Sequence, residues 1–181
     1  MHFVRLSALV LSLFAGSALA FDLSSPELQP GRPMSKAQEF KGFGCDGGNV
    51  SPALNWKDAP AGTRSFAVTV YDPDAPTGSG WWHWVVYDIP ATATGLPGGA
   101  VVKAPLPEGA KQGRNDFGGR DFGGACPPVG DKPHRYIYTV HALKVEKLEV
   151  PEDASPALIG FMLHSNRIGQ AKLTATYARK K

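Results

Sequence analysis

Two carboxylates, two histidines and a tyrosine carry most of the chemistry this sequence offers. Asp72 and Asp74 bracket a proline in the run DPDAP, and His83 follows among Trp81, Trp82 and Trp84. His134 and Tyr136 lie far downstream in PHRYIY. Imidazoles and a phenol donate hydrogen bonds to an anion, and a carboxylate beside them orients an imidazole or accepts from an ammonium. The mixture suits a ligand bearing phosphate and amine better than a simple anion. Asp72, Asp74, His83 and His134 are also ligand types for a divalent metal, although no HExxH-like spacing accompanies them. A serine hydrolase has weaker support: there is no GxSxG, and Ser79 sits in GSG. Each residue alone also has a plain structural reading. DPDAP is a common turn composition, and a histidine among tryptophans is ordinarily a hydrogen-bonded core or rim residue.

Strands must bring these groups together. Ser65–Tyr71 alternates, with Phe66, Val68 and Val70 facing one way and Ala67, Thr69 and Tyr71 the other. Trp84–Ile89 is a nearly continuous apolar and β-branched run, as in a strand covered on both faces. Paired as a wide hairpin, the two put Asp72 and His83 at one end. Tyr136–Leu143 is a third strand; lying antiparallel to the first, it adds His134 and Tyr136 to the same rim. Pro73 and Pro76 hold the acidic turn extended. Gly113–Pro133, rich in glycine, is a long loop able to lie over the rim with bare backbone N–H groups.

The rest is less regular. Residues 21–64 read as mostly irregular, with Phe40–Asn49 a loop, Leu54 and Trp56 on one face of SPALNW, and a turn at Ala59–Thr63. Val101–Lys103 could add a short strand, and Glu146–Val150 could pair beside the third strand. One helix is expected over Ser155–Ile168, capped by Ser155 with Pro156 at its first position, stopped by Gly169, and packed through Leu158, Phe161 and Met162. Lys172–Tyr177 closes the chain as a strand with Leu173, Ala175 and Tyr177 on one side. A mainly β domain follows, with sheet-on-sheet packing.

Residues 1–20 read as a secretory signal peptide, with Arg5, an apolar stretch from Leu6 to Phe14, and cleavage after Ala20. That leaves one domain, 21–181, for the periplasm or the outside of the cell. No run in the sequence reaches the length of a transmembrane helix. Cleavage removes one basic residue and no acid, so the formal charge falls from +3 to +2. This is too little to argue for nucleic acid, and Arg179–Lys181 reads as a solvated tail. Cys45 and Cys126 form one disulfide or stay as two thiols; export and their Gly/Pro-rich surroundings favour the disulfide.

GGNVSPALNW, YDPDAP, WWHWVVYDIP, GGACPPVGDKPHRYIYTV and SPALIGFMLH, in this order, resemble the phosphatidylethanolamine-binding proteins, which include the Raf kinase inhibitor protein. The resemblance runs from about Phe40 to Tyr177 and is closest to the family's bacterial branch. It implies a Greek-key β-sandwich with a small anion pocket at one end, formed by Asp72, Asp74, Pro76, His83, Gly124, Pro127, Pro128, His134 and Tyr136. It implies a binding protein without cofactor, whose partner is a phosphate-bearing small molecule or a phospholipid headgroup, and a homodimer. A protein partner inhibited through the pocket rim is the alternative, with metal-assisted hydrolysis behind it. The chain departs from eukaryotic relatives in stopping soon after Tyr177, where they carry a helix bordering the pocket. It also has Cys126 where many relatives have a small residue, so that with Cys45 it could staple the pocket loop.

Overall fold

The computed structural model describes residues 20–100 and 105–180. The expected signal peptide, apart from Ala20, and the expected strand at Val101–Lys103 lie outside the described residues. The strands are β1 (Asp22–Ser24), β2 (Lys41–Gly42), β3 (Cys45–Asp46), β4 (Leu54–Lys57), β5 (Ser65–Asp72), β6 (Trp81–Pro90), β7 (Gly95–Leu96), β8 (Lys111–Gln112), β9 (His134–Leu143) and β10 (Arg167–Tyr177). One helix, α1 (Pro156–Asn166), precedes β10.

The main sheet runs β10-β9-β5-β6-β8, a smaller sheet β1-β4-β7, and β2 pairs with β3 as a hairpin. Residues 21–64 are mostly irregular, as expected, with strands of two to four residues set among them. They are too short to show an alternation and exist through their pairing. Glu146–Val150, by contrast, forms no strand.

Apolar residues lie on both faces of the main sheet. Phe66, Val68, Val70, Trp84, Val86, Tyr138 and Leu173 meet Leu23, Leu54, Trp56 and Leu96 of the small sheet. On the other face Ala67, Val85, Tyr87 and Leu143 pack with Ile159 and Leu163 of α1. Burial on both faces explains why β6 reads as a continuous apolar run.

The helix begins as expected: Ser155 accepts from the Leu158 N–H through its hydroxyl, and Pro156 occupies the first turn. Its packing face differs. Pro156, Ile159 and Leu163 are buried, whereas Leu158 and Phe161 are 39% and 64% exposed. The helix is apolar on most sides, so Leu158/Met162 and Ile159/Leu163 are equally good i, i+4 pairs, and docking selects the second. Nor is Gly169 the stop. The chain turns extended at Arg167, and Gly169 sits in β10 where a Cβ would come 2.5 Å from Pro60 Cγ.

Register decides what reaches the rim. β5 is antiparallel to both β6 and β9, with Asp72 opposite Trp81 and Tyr71 opposite Ile137. The end of β5 and the starts of β6 and β9 therefore share one edge of the sandwich.

Candidate functional site

At that edge lies a cavity of about 180 Å³. It is lined by Asp72, Pro76, His83, Pro127, Pro128, His134 and Tyr136, seven of the nine expected pocket residues. Strand alternation sends His134 and Tyr136 inward from β9 and Arg135 outward between them.

Asp72 is 2% exposed and accepts from His134 Nδ1–H at 2.8 Å. Its other oxygen accepts from the Asp74 N–H at 2.8 Å, which fixes the turn. The carboxylate sets the His134 tautomer and leaves Nε2 outward, 3.5 Å from Asp131. His83 is held from the opposite wall: Nδ1 lies 2.8 Å from the Gly123 carbonyl and 3.1 Å from that of Gly124. Burial pushes its pKa down despite those carbonyls and the negative Asp72 and Asp116.

Two donors in the lining have no protein partner. Tyr136 Oη and Trp81 Nε1 are both buried and unbonded. Burial, followed by the charge of Asp72, drives the Tyr136 pKa up, so the phenol keeps its proton. An unpaired buried donor costs about 1–3 kcal/mol, and native proteins hold few of them. Both residues that carry them line the one cavity.

The other two expected residues stand elsewhere. Asp74 turns outward and forks Arg135, with Nη2 to Oδ1 at 2.7 Å and Nε to Oδ2 at 2.8 Å. Gly124 lies behind His83, where a Cβ would come 2.3 Å from the Gln38 carbonyl. Its place follows from close backbone approach.

The glycine loop also differs from expectation. The N–H groups of Gly118, Gly119, Gly123, Gly124 and Gly130 already donate to Asn115 O, Asn115 Oδ1, His83 O, Asn49 Oδ1 and Arg179 O. They offer nothing to a ligand. The loop instead contributes Phe117, whose ring packs edge-on against Trp81 and His83 at 5.3 and 5.4 Å between centroids. Trp81, beside His83, joins the wall, and Phe117, Thr77 and Phe43 are cavity residues the sequence reading missed. An aromatic in the middle of an otherwise glycine-rich loop was the available signal for Phe117.

The cysteines are bonded, Cys45 to Cys126, and Cys126 lines the cavity. The bond fastens the β2–β3 hairpin, with Phe43 near its tip, to the pocket loop. Arg179 reinforces it by donating from Nε to the Pro127 carbonyl and from Nη1 to that of Gly44, each at 2.7 Å. This residue is a clip between loops and not part of a solvated tail. Among the described residues no group of three or more His, Cys, Asp or Glu side chains is arranged to hold a metal ion.

The sequence profile of the phosphatidylethanolamine-binding proteins matches residues 24–178. The chain belongs to that family. Among its relatives, YbcL of Escherichia coli K12 is 54% identical over 96% of each chain. YbhB of the same strain is 49% identical over 86% of this chain and 99% of its own. A Mycobacterium tuberculosis relative bearing a lipoprotein name, LppC, is 32% identical over 90% of this chain and 75% of its own. The crystal structure of E. coli YbcL superposes with a TM-score of 0.85, covering 88% of this chain and 99% of that one. This family member is thus a mainly β protein with one α-helix among the described residues, and two of its four buried side-chain atoms without a partner belong to the rim pocket's lining.

Proposed function

We propose that the chain binds a phosphate-bearing small molecule or lipid headgroup in the rim pocket. The observation that carries this reading is the pair of unpartnered donors, Tyr136 Oη and Trp81 Nε1, beside the Asp72–His134 pair. Two neutral donors beside a cavity match the acceptor-rich, charge-dispersed surface of a phosphoryl group. The open Nε2 edge of His134 and the carboxylate of Asp131 beside it would meet the ligand's organic part, where an amine suits. Membership of the family supports a binding role over a catalytic one. Titration with phosphoethanolamine should shift the Trp81 indole N–H and the His83 and His134 ring signals in NMR spectra. Unmoved signals at millimolar ligand would sink the reading.

Action beyond the cytoplasmic membrane fits the same protein. Support comes from the bonded cysteines, the signal-like N-terminus and the lipoprotein-named relative. Among the described residues no helix is long and apolar enough to cross a membrane. Fractionation of cells with N-terminal sequencing tests it, with Phe21 as the expected first residue.

One observation favours a protein partner at the same rim. Phe43 and Val129 are 72% and 49% exposed beside the cavity's mouth. Val129→Ser should then weaken partner binding and leave phosphoethanolamine binding intact.

A further inference from the structure

We infer that the pocket selects phosphomonoesters over phosphodiesters, because the wall formed by His83 presents a lone pair that a protonated phosphoryl oxygen can satisfy and a fully ionised one cannot. The inference rests on the anion-pocket reading above and narrows it. The Gly123 and Gly124 carbonyls can only accept, so Nδ1 of His83 carries the ring proton. The neutral ring therefore turns an acceptor, Nε2, away from the loop backbone, and no group among the described residues donates to it. His83 is 3% exposed and lines the cavity.

The surroundings decide whether that nitrogen stays unprotonated. The titratable groups facing His83 are Asp72 from β5, Tyr136 and His134 from β9, and Asp116 from the long loop. The two carboxylates favour an imidazolium. Burial opposes it and prevails. The residues lining the cavity thus carry two unbonded donors, Tyr136 Oη and Trp81 Nε1, along with the acceptor Nε2 of His83.

A phosphodiester anion carries acceptors alone. Set against Tyr136 and Trp81, it would press a further lone pair towards His83, or require a proton on that buried ring. A monoester has its second pKa near 6, so close to neutral pH a sizeable share carries a P–OH. That hydroxyl donates to Nε2 while the other oxygens accept from Tyr136 and Trp81. The same rule covers a free metabolite, a phosphorylated side chain and inorganic phosphate. Intact glycerophospholipids such as phosphatidylethanolamine, being diesters, fall on the other side of it.

Calorimetric titration of the full chain at pH 6, 7 and 8 tests this, using phosphoethanolamine, glycerophosphoethanolamine and inorganic phosphate. The Trp81 indole signal reports whether each ligand occupies the pocket. Phosphoethanolamine should bind at least tenfold more tightly than the diester at pH 6. Its affinity should fall about tenfold from pH 7 to 8 as the P–OH form disappears. Inorganic phosphate, which keeps a P–OH in both of its ionic forms over this range, should bind without that fall. In His83→Gln, where the amide can offer a donor, the slope should vanish and the diester gap close to within about threefold. Equal binding of both esters, or a phosphoethanolamine affinity flat with pH while the indole signal moves, overturns the selectivity and leaves the anion pocket standing. An indole signal unmoved by any ligand at every pH overturns the pocket reading and this inference with it.

Discussion

Asp72 and Asp74 leave one turn and finish on opposite sides of β9. Asp72 goes inward, is 2% exposed, and holds a buried histidine beside an empty-walled cavity. Asp74 goes outward and forks Arg135, whose side chain is 56% exposed. The alternation His134, Arg135, Tyr136 supplies the inner carboxylate with an imidazole and the outer one with a guanidinium. One pair belongs to a pocket; the other pins the strand that carries it. What separates them is burial, which makes a lost partner expensive inside and nearly free outside.

The inner side depends on its lid, and there the largest effect is expected. Cys45→Ser with Cys126→Ser opens a loop of 81 residues. On the chain-entropy model this lowers stability by about 4 kcal/mol, read from urea unfolding. Phosphoethanolamine binding should weaken in parallel, because Cys126 is itself a wall of the cavity. An unchanged urea midpoint would show that Arg179 alone holds the hairpin. Next comes Asp72→Ala, which strips the buried His134 Nδ1–H of its acceptor. A loss of about 2–3 kcal/mol is expected, with phosphoethanolamine binding gone.

How much of this was legible follows the same division. Asp72, His83, His134 and Tyr136 were readable together because each sits at the end of a long strand whose pairing the sequence pattern suggests. The small sheet was not, since strands such as Gly95–Leu96 carry no periodicity and depend on partners distant in the chain. Asp74 was misplaced by reading DPDAP as one unit. The clue lay downstream: in a strand, Arg135 must face away from His134 and Tyr136, so a basic partner was waiting outside for the second acid. Phe117 escaped because an apolar wall leaves no signature of spacing. The helix face was undecidable between two equivalent apolar pairs.

Further along β9, His141 sharpens what marks a site. It too is buried with an unbonded nitrogen, Nδ1, but it bonds Thr69 through Nε2 and lines no cavity found at the rim. Burial, aided by Arg167 and Lys172, pushes its pKa down to about 3. The folded state therefore refuses a proton that the unfolded chain accepts below about 6.5. Stability should fall as pH drops from about 6.5 towards 3, by up to about 1.4 kcal/mol per unit from this one group. His83 acts in the same direction. Urea unfolding between pH 7 and 4.5 should show the loss, and His141→Gln should flatten it. A slope unchanged in that variant would place the acid sensitivity at the rim.

The smallest effect is the sharpest test of the comparison. Arg135 holds the Asp74 carboxyl down to a pKa of about 2, chiefly through its side-chain hydrogen bonds. A depressed carboxylate stabilises the fold above its unfolded value, near 4, and that contribution is lost as pH falls through about 2. Exposure of both partners limits it to about 1 kcal/mol or less. Asp74→Ala should therefore shift the urea midpoint slightly and leave phosphoethanolamine affinity within about twofold. The Arg135 N–H also donates to Asp74 Oδ2, so the acid anchors the backbone at the point where His134 and Tyr136 diverge inward. Should Asp74→Ala abolish binding as fully as Asp72→Ala, the outer pair would be positioning the inner one, and the two sides of β9 would form a single device.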